Sequence, residues 1–186
     1  MEDTRFERVG GGCDPIHPSV IFGRGVQVGH YVVIDSGVEI GDGAFIGHGT
    51  VIRSGVKIGA RAIIGHLVVI EANTIIGDDT TIQSQCHITK GALIGNRCFY
   101  GPMAMMINTR RISHGRGFKA QLEGPAVGRA ARIGAGAIVM PGSKIGDNAV
   151  LGAGSILTSG KEVPPREIWF GYPAIHRGRV EEGEVL

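Results

Sequence analysis

Apolar residues return along this chain every six positions, a period that neither a helix nor a flat strand produces alone. The stretch "VEIGDGAFIGHGTVIRSGVKIGARAIIGH", Val38 to His66, says nearly the same thing five times. With Ile16 as position one, the register reads Ile16, Phe22, Val28, Ile34, Ile40, Ile46, Ile52, Ile58, Ile64, Ile70, Ile76, Ile82, Ile88, Ile94, Tyr100 and Met106 without a slip. Position five is restricted too, holding Val20, Val38, Ala44, Thr50, Ala62, Thr74, Cys86, Ala92, Cys98 and Ala104 among others. Positions two and four hold most of the glycines.

Each unit reads as a very short strand and a tight bend. Positions one and five face the same interior, by the period-2 alternation of a strand carried across the bend. Glycine, and at times Asn or Asp, supplies the positive φ where the chain turns. A unit this short cannot bury its apolar side alone, but stacked copies can. Three units make one triangular coil of 18 residues, and coils stack at roughly 4.8 Å in the strand-pairing direction. The pattern predicts an all-β solenoid.

The frame fails after Met106 and resumes at Val127, Ile133, Val139, Ile145, Leu151, Leu157 and Val163. The step of 21 from Met106 to Val127 is not a multiple of six, so a loop must leave the prism and return. One domain, 1–186, is expected: a lead-in at 1–15, coils at 16–106 and 127–175, an extruded loop at 107–126 and a tail at 176–186. The loop, "INTRRISHGRGFKAQLEGPA", carries Arg110, Arg111, Arg116 and Lys119 against Glu123 alone. Loops on rigid scaffolds tend to carry chemistry. Asn108 stands at the point of departure, and His114 has the chemistry of a general base near neutral pH. Arg and Lys suit the phosphates of a nucleotide or coenzyme.

Composition narrows the choices. The net charge is only +2 and aromatics make up 5%, so neither a global field nor a stacking surface recruits nucleic acid. Glycine is the outlier, 32 of 186 against a usual share of roughly 7%. No apolar run approaches a membrane span, and the N-terminal residues hold no signal-like apolar core. Cys13, Cys86 and Cys98 form an odd set without metal-type spacing, which suits a reduced, cytoplasmic protein. Cys86 and Cys98 fall at position five and read as small buried residues.

His30, His48 and His66 are spaced 18 apart at position three, each after a glycine, so they should stack as a column. Zinc wants about four converging ligands at roughly 2.0–2.1 Å, which parallel side chains one strand spacing apart do not offer. A solvated or subunit-facing ladder is expected, and no metal. His87 sits outside the column at position six.

The repeat resembles that of the hexapeptide-repeat acyltransferases over about Pro15 to Arg179. That resemblance implies a left-handed parallel β-helix, a homotrimer and acetyl-CoA as co-substrate. "GPMAMMINTRR" resembles the segment of the nucleotide-sugar N-acetyltransferases in which an Asn six residues after a Pro sits beside the sugar amine; Asn108 keeps that spacing from Pro102. Sugar and antibiotic O-acetyltransferases instead place a catalytic His after the same Gly-Pro, and His114 is a late version of it. "RIGAGAIVMPGSKIGDNAVLGAGSILTSGKEVPP" with "WFGYPAIHRGRV" resembles the coenzyme-binding end of acetyl-CoA-dependent members. By that likeness Gly134, Ala135, Gly152 and Ala153 run along the pantetheine arm, and Arg177 faces the coenzyme phosphates.

The function expected is acetyl transfer from acetyl-CoA to an amine of a nucleotide-linked amino sugar. Transfer to a sugar or antibiotic hydroxyl is the alternative. Two readings from other classes remain: a zinc enzyme like the γ-class carbonic anhydrases, which share the fold, and a purely structural β-helix.

Overall fold

The computed structural model describes the backbone of residues 6–8 and the whole of 16–186. Cys13 and the other lead-in residues at 1–5 and 9–15 lie outside the described residues. The chain winds as a parallel β-solenoid of about 8 turns, built from two-residue strands separated by bends. Three sheets form its walls. Wall 1 has ten strands, from Phe6–Arg8 and Val26–Val28 down to Glu167–Gly171 and Ala174–Arg179. Wall 2 runs from Val33–Ile34 to Ile156–Leu157 in seven strands, and wall 3 from Ile21–Phe22 to Glu162–Val163 in eight.

Position one and position five are both interior. Ile34, Ile46, Ile52, Ile64 and Ile70 are fully buried from position one, as are Val32, Val38, Ala44, Val56 and Ala62 from position five. A bulky and a small residue thus alternate around each coil and fill a triangular section. Polar residues at position five are compatible with burial because Thr50, Thr74, Thr80 and Ser143 each reach a carbonyl at the bend, and Ser155 Oγ accepts the Gly171 N–H. Thr50 Oγ1 donates to Gly65 O at 2.8 Å, Thr80 Oγ1 to Gly95 O at 2.8 Å, and Cys98 Sγ to Gly128 O at 3.0 Å. Burial pushes the thiols of Cys86 and Cys98 up to about 11, so both stay protonated and inert.

Tyr100 is the exception in the interior. It takes position one, is 1% exposed, and its hydroxyl has no hydrogen-bond partner among the described residues. A buried unsatisfied hydroxyl costs about 1–3 kcal/mol. Tyr100→Phe is therefore expected to raise stability by about 1 kcal/mol, measured as a higher urea midpoint at unchanged slope. A lower midpoint would show that the hydroxyl is satisfied in solution.

The bends differ from the expectation in one respect. Position four has positive φ in nearly every unit, Ser19 and Gly124 excepted, and eleven of the described residues that adopt it there are not glycine. They include Tyr31, Arg61, Leu67, Gln85 and Met103, whose side chains oppose that conformation by roughly 1–2 kcal/mol each. The coil imposes the turn whether or not the residue favours it, because strand pairing on both sides leaves no other path.

The frame shift at the loop resolves simply. Leu93 pairs with Ala126, 33 residues on, where neighbouring coils elsewhere pair at 18; the excess is 15. Residues 109–123 are inserted between Asn108 at position three and Gly124 at position four, on the corner joining walls 2 and 3. Everything after it returns to register. Among the described residues no helix is long and apolar enough to cross a membrane.

Candidate active site

Position three of each unit lies on a corner, and its side chain commonly caps the coil before it. On the corner between walls 3 and 1, Asp42 Oδ1 accepts the Arg24 N–H at 2.9 Å, Asp78 Oδ1 that of Ala60 at 2.8 Å, and Asp147 Oδ1 that of Arg129 at 2.8 Å. The histidine column does the same on the corner between walls 1 and 2. His48 Nδ1 accepts the His30 N–H at 2.7 Å, and His66 Nδ1 accepts the His48 N–H at 2.9 Å. The rings stack 5.1 Å apart, nearly parallel.

This geometry decides what the column can do. A neutral histidine that accepts through Nδ1 carries its proton on Nε2. His48 and His66 therefore have no lone pair left for a metal. Among the described residues no group of three or more His, Cys, Asp or Glu stands where it could hold one. His48→Asn keeps an acceptor of the kind used at the neighbouring corner, and turnover is expected to stay within a few-fold. His48→Leu removes the acceptor, and is expected to lower stability by about 1 kcal/mol in a denaturant titration.

Followed downward, the same corner changes character. Its position-three and position-four residues in the upper coils include His30, Tyr31, His48, His66, Leu67 and Met103. In the last two coils they are Ala135–Gly136 and Ala153–Gly154. Gly136 and Gly154 have φ of +64° each, with open space where a side chain would stand. The expected coenzyme positions Gly134, Ala135, Gly152 and Ala153 thus line one corner of adjacent coils. A side chain on Gly134 would run into the Ala153 backbone, and one on Gly152 would meet Phe170 Cβ at 2.6 Å. The Arg177 guanidinium lies over the Phe170 ring, 5.2 Å from its centroid, so the terminal hairpin brings Arg177 to the lower end of this bare strip.

The arm stands on the far side of wall 2. Asn108 Nδ2 points to Lys90 O at 3.4 Å, and Asn108 Oδ1 accepts from Thr109 Oγ1 at 3.1 Å. His114 is exposed near the tip; its backbone oxygen accepts from Arg116 at 2.7 Å, and its ring has no hydrogen-bond partner among the described residues. Arg110 is not a free cation, since it pairs with Glu123 at 2.8 Å. Arg111 lies over the Phe118 ring at 4.0 Å, which leaves Arg111, Arg116 and Lys119 as the arm's unneutralised charge.

Wall 2 itself presents an apolar outward row: Val33, Val51, Val69, His87, Met105, Ile138 and Ile156. His87 is half-buried between Val69 and Met105 and is the row's one ionisable residue. The corner residues Ala135 and Pro141, on either side of the wall, are one hexapeptide apart, roughly 20 Å at full extension. The structure does not bring Asn108 and His114 into contact with the bare strip. It sets them at opposite edges of one apolar wall.

Comparisons with known proteins agree on the family and the fold. The family model for the GMPPB C-terminal domain matches residues 12–114, and the bacterial transferase hexapeptide model (six repeats) matches residues 124–159. Compared by sequence with the curated proteins, the chain matches none. Among solved structures, a Bacillus cereus protein named as a candidate acetyltransferase is 22% identical, over 97% of this chain and 87% of that one, with a TM-score of 0.58. A maltose O-acetyltransferase from Clostridium difficile 630 is 26% identical over 67% of this chain and 70% of its own, with a TM-score of 0.57. The UDP-N-acetylglucosamine acyltransferase of Francisella novicida is 19% identical over 92% and 68%, with a TM-score of 0.60.

Proposed function

This chain belongs to the GMPPB C-terminal domain family, and from that premise, with transferase hexapeptide repeats in its second half, we propose that it is an acetyl-CoA-dependent acyltransferase. The observation that carries the reading is the change along one corner, from side chains in the upper coils to bare Ala-Gly bends in the last two. An extended pantetheine needs close backbone approach, and backbone N–H groups at such bends suit a developing oxyanion. Arg177, beside Phe170 at the end of the strip, suits the coenzyme phosphates.

The acceptor is the amine of a nucleotide-linked amino sugar, lying across wall 2 with its phosphates toward Arg111, Arg116 and Lys119. Asn108 holds the amine through its side-chain oxygen. The neutral amine attacks the thioester carbonyl, a C–N bond forms and the C–S bond breaks. The thiolate leaves, and the proton shed by nitrogen reaches sulfur or water. Positioning carries most of this rate, because a neutral amine needs little base. Hydroxyl transfer is the second reading, supported by the likeness to the maltose enzyme and by His114 in the arm. There the histidine must remove the proton.

The assembly proposed is a homotrimer. Tyr31, Leu67 and Met103 are 73%, 58% and 58% exposed, and all stand at positive φ, where glycine costs less. Bulky residues in such places are explained if a second copy covers them. Light scattering at micromolar concentration is expected to give three times the chain mass, and Leu67→Glu with Met103→Glu to give monomers. A monomeric parent would overturn the homotrimer.

Thermal unfolding tests the function directly, since a ligand that favours the folded state raises its stability, by about 2.7 kcal/mol at one hundred times its Kd. Acetyl-CoA, then a panel of UDP- and dTDP-aminosugars and simple sugars, should each be scored. Acetyl-CoA is expected to raise the midpoint and one acceptor class to add to it. No shift at millimolar acetyl-CoA would sink the proposal.

A further inference from the structure

The arm is closed at its root by an ion pair between its own two ends, and the corner beneath that pair is glycine. Arg110 Nε and Nη2 both reach Glu123 Oε2 at 2.8 Å. A side chain on Gly142, one coil below, would meet Arg110 Nη2 at 2.5 Å and Glu123 Oε2 at 2.6 Å. Gly160, the equivalent residue of the next coil, would come within 3.6 Å of the same guanidinium. The backbone repeats the connection: Glu123 N–H donates to Asn108 O at 2.8 Å, and Gly142 N–H to Glu123 O at 3.1 Å. Thr109 bridges Leu122 in antiparallel fashion just above.

We propose that Arg110 is a positioning residue: through Glu123 it fastens the arm onto the Gly142 and Gly160 corners and so fixes where Asn108 stands over wall 2. The two coils beneath the arm are those whose opposite corner is bare. The clamp therefore aims the arm at the same level of the prism as the strip formed by Ala135 and Ala153. A loosened arm root would free the Asn108 side chain, whose Oδ1 accepts from Thr109 Oγ1, and a misplacement of about 1 Å can cost on the order of 10²-fold in rate. A surface ion pair adds little to global stability, because solvent screens it. Its expected effect is local order.

This inference rests on the acyltransferase reading, and the experiment keeps the two separable. Hydrogen exchange in the full-length protein, without substrate, reads the Glu123 and Gly142 amides. Arg110→Gln and Glu123→Gln are each expected to speed exchange at both amides about tenfold, with wall strands elsewhere unchanged. The swapped pair, Arg110→Glu with Glu123→Arg, should recover part of the protection, as coupled residues do. Gly142→Ala, which intrudes on the seat, should loosen the arm by an independent route. In the acetyl-transfer assay the single variants should lower kcat about tenfold and leave the KM for acetyl-CoA unmoved. Unchanged exchange in both single variants overturns the clamp. So does loosened exchange with unchanged kcat, which would make the pair merely structural. If the parent enzyme transfers no acetyl group, the function falls, and the exchange data alone decide whether the arm is clamped.

Discussion

Ala153→Trp is expected to raise the KM for acetyl-CoA about 100-fold, a loss of about 2.8 kcal/mol in coenzyme binding, while the protein keeps its fold. Ala153 is exposed on the corner and lies outside the positive-φ set, so a larger side chain strains no backbone there. The indole would lie over the bare strip and keep the pantetheine from the backbone. Isothermal titration with coenzyme A and initial-rate kinetics both read the effect. Ser54→Trp, exposed on another corner among the N-terminal coils, serves as the control and should change neither. Unaltered coenzyme binding in Ala153→Trp would take the coenzyme off this corner altogether.

Asn108→Ala is expected to lower kcat about 100-fold, and His114→Ala less than tenfold, if the acceptor is an amine. For a hydroxyl acceptor the order reverses, because a lost general base costs roughly 10²–10⁴-fold. The geometry favours the first outcome. Asn108 sits at the clamped root of the arm with both ends of its amide engaged, whereas the His114 ring is exposed and has no orienting partner among the described residues. An unoriented base is a poor one. Full activity in both variants would remove the arm from the chemistry, and His87, half-buried on wall 2, would be the next residue to replace.

The solenoid was legible in the sequence because its rule is local. Ile46, Ile64 and Ile82 bury at position one, and Ala44, Ala62 and Thr80 at position five, for reasons written within each six residues. Ala135 and Ala153 are singled out by the likeness of the C-terminal half to acetyl-CoA-dependent members, and the coil of 18 adds only that residues so spaced must stack on one corner. What resisted was anything set by contact beyond the period. Arg110 reads as one more cation in a basic loop, and its engagement by Glu123 depends on which way the arm folds. The histidine column reads as a ladder along one corner, but that its Nδ1 atoms accept backbone N–H groups of the coil above is seen only in the structure. Leu67 and Met103 look like ordinary surface residues, yet the coil forces them into a left-handed conformation that no residue-type preference foretells.

The placement of the arm bears on how such a protein diversifies. Residues 109–123 enter between two consecutive positions of the six-residue register, and Gly124 takes up the count where Asn108 left it. Excising those residues would leave every ladder in step. A longer or shorter hairpin could be exchanged at the same joint without moving a wall strand or the coenzyme corner. If the chain is the acyltransferase proposed above, acceptor choice and coenzyme use sit on separately heritable parts: a surface hairpin can be swapped while the corner of the last two coils is inherited intact.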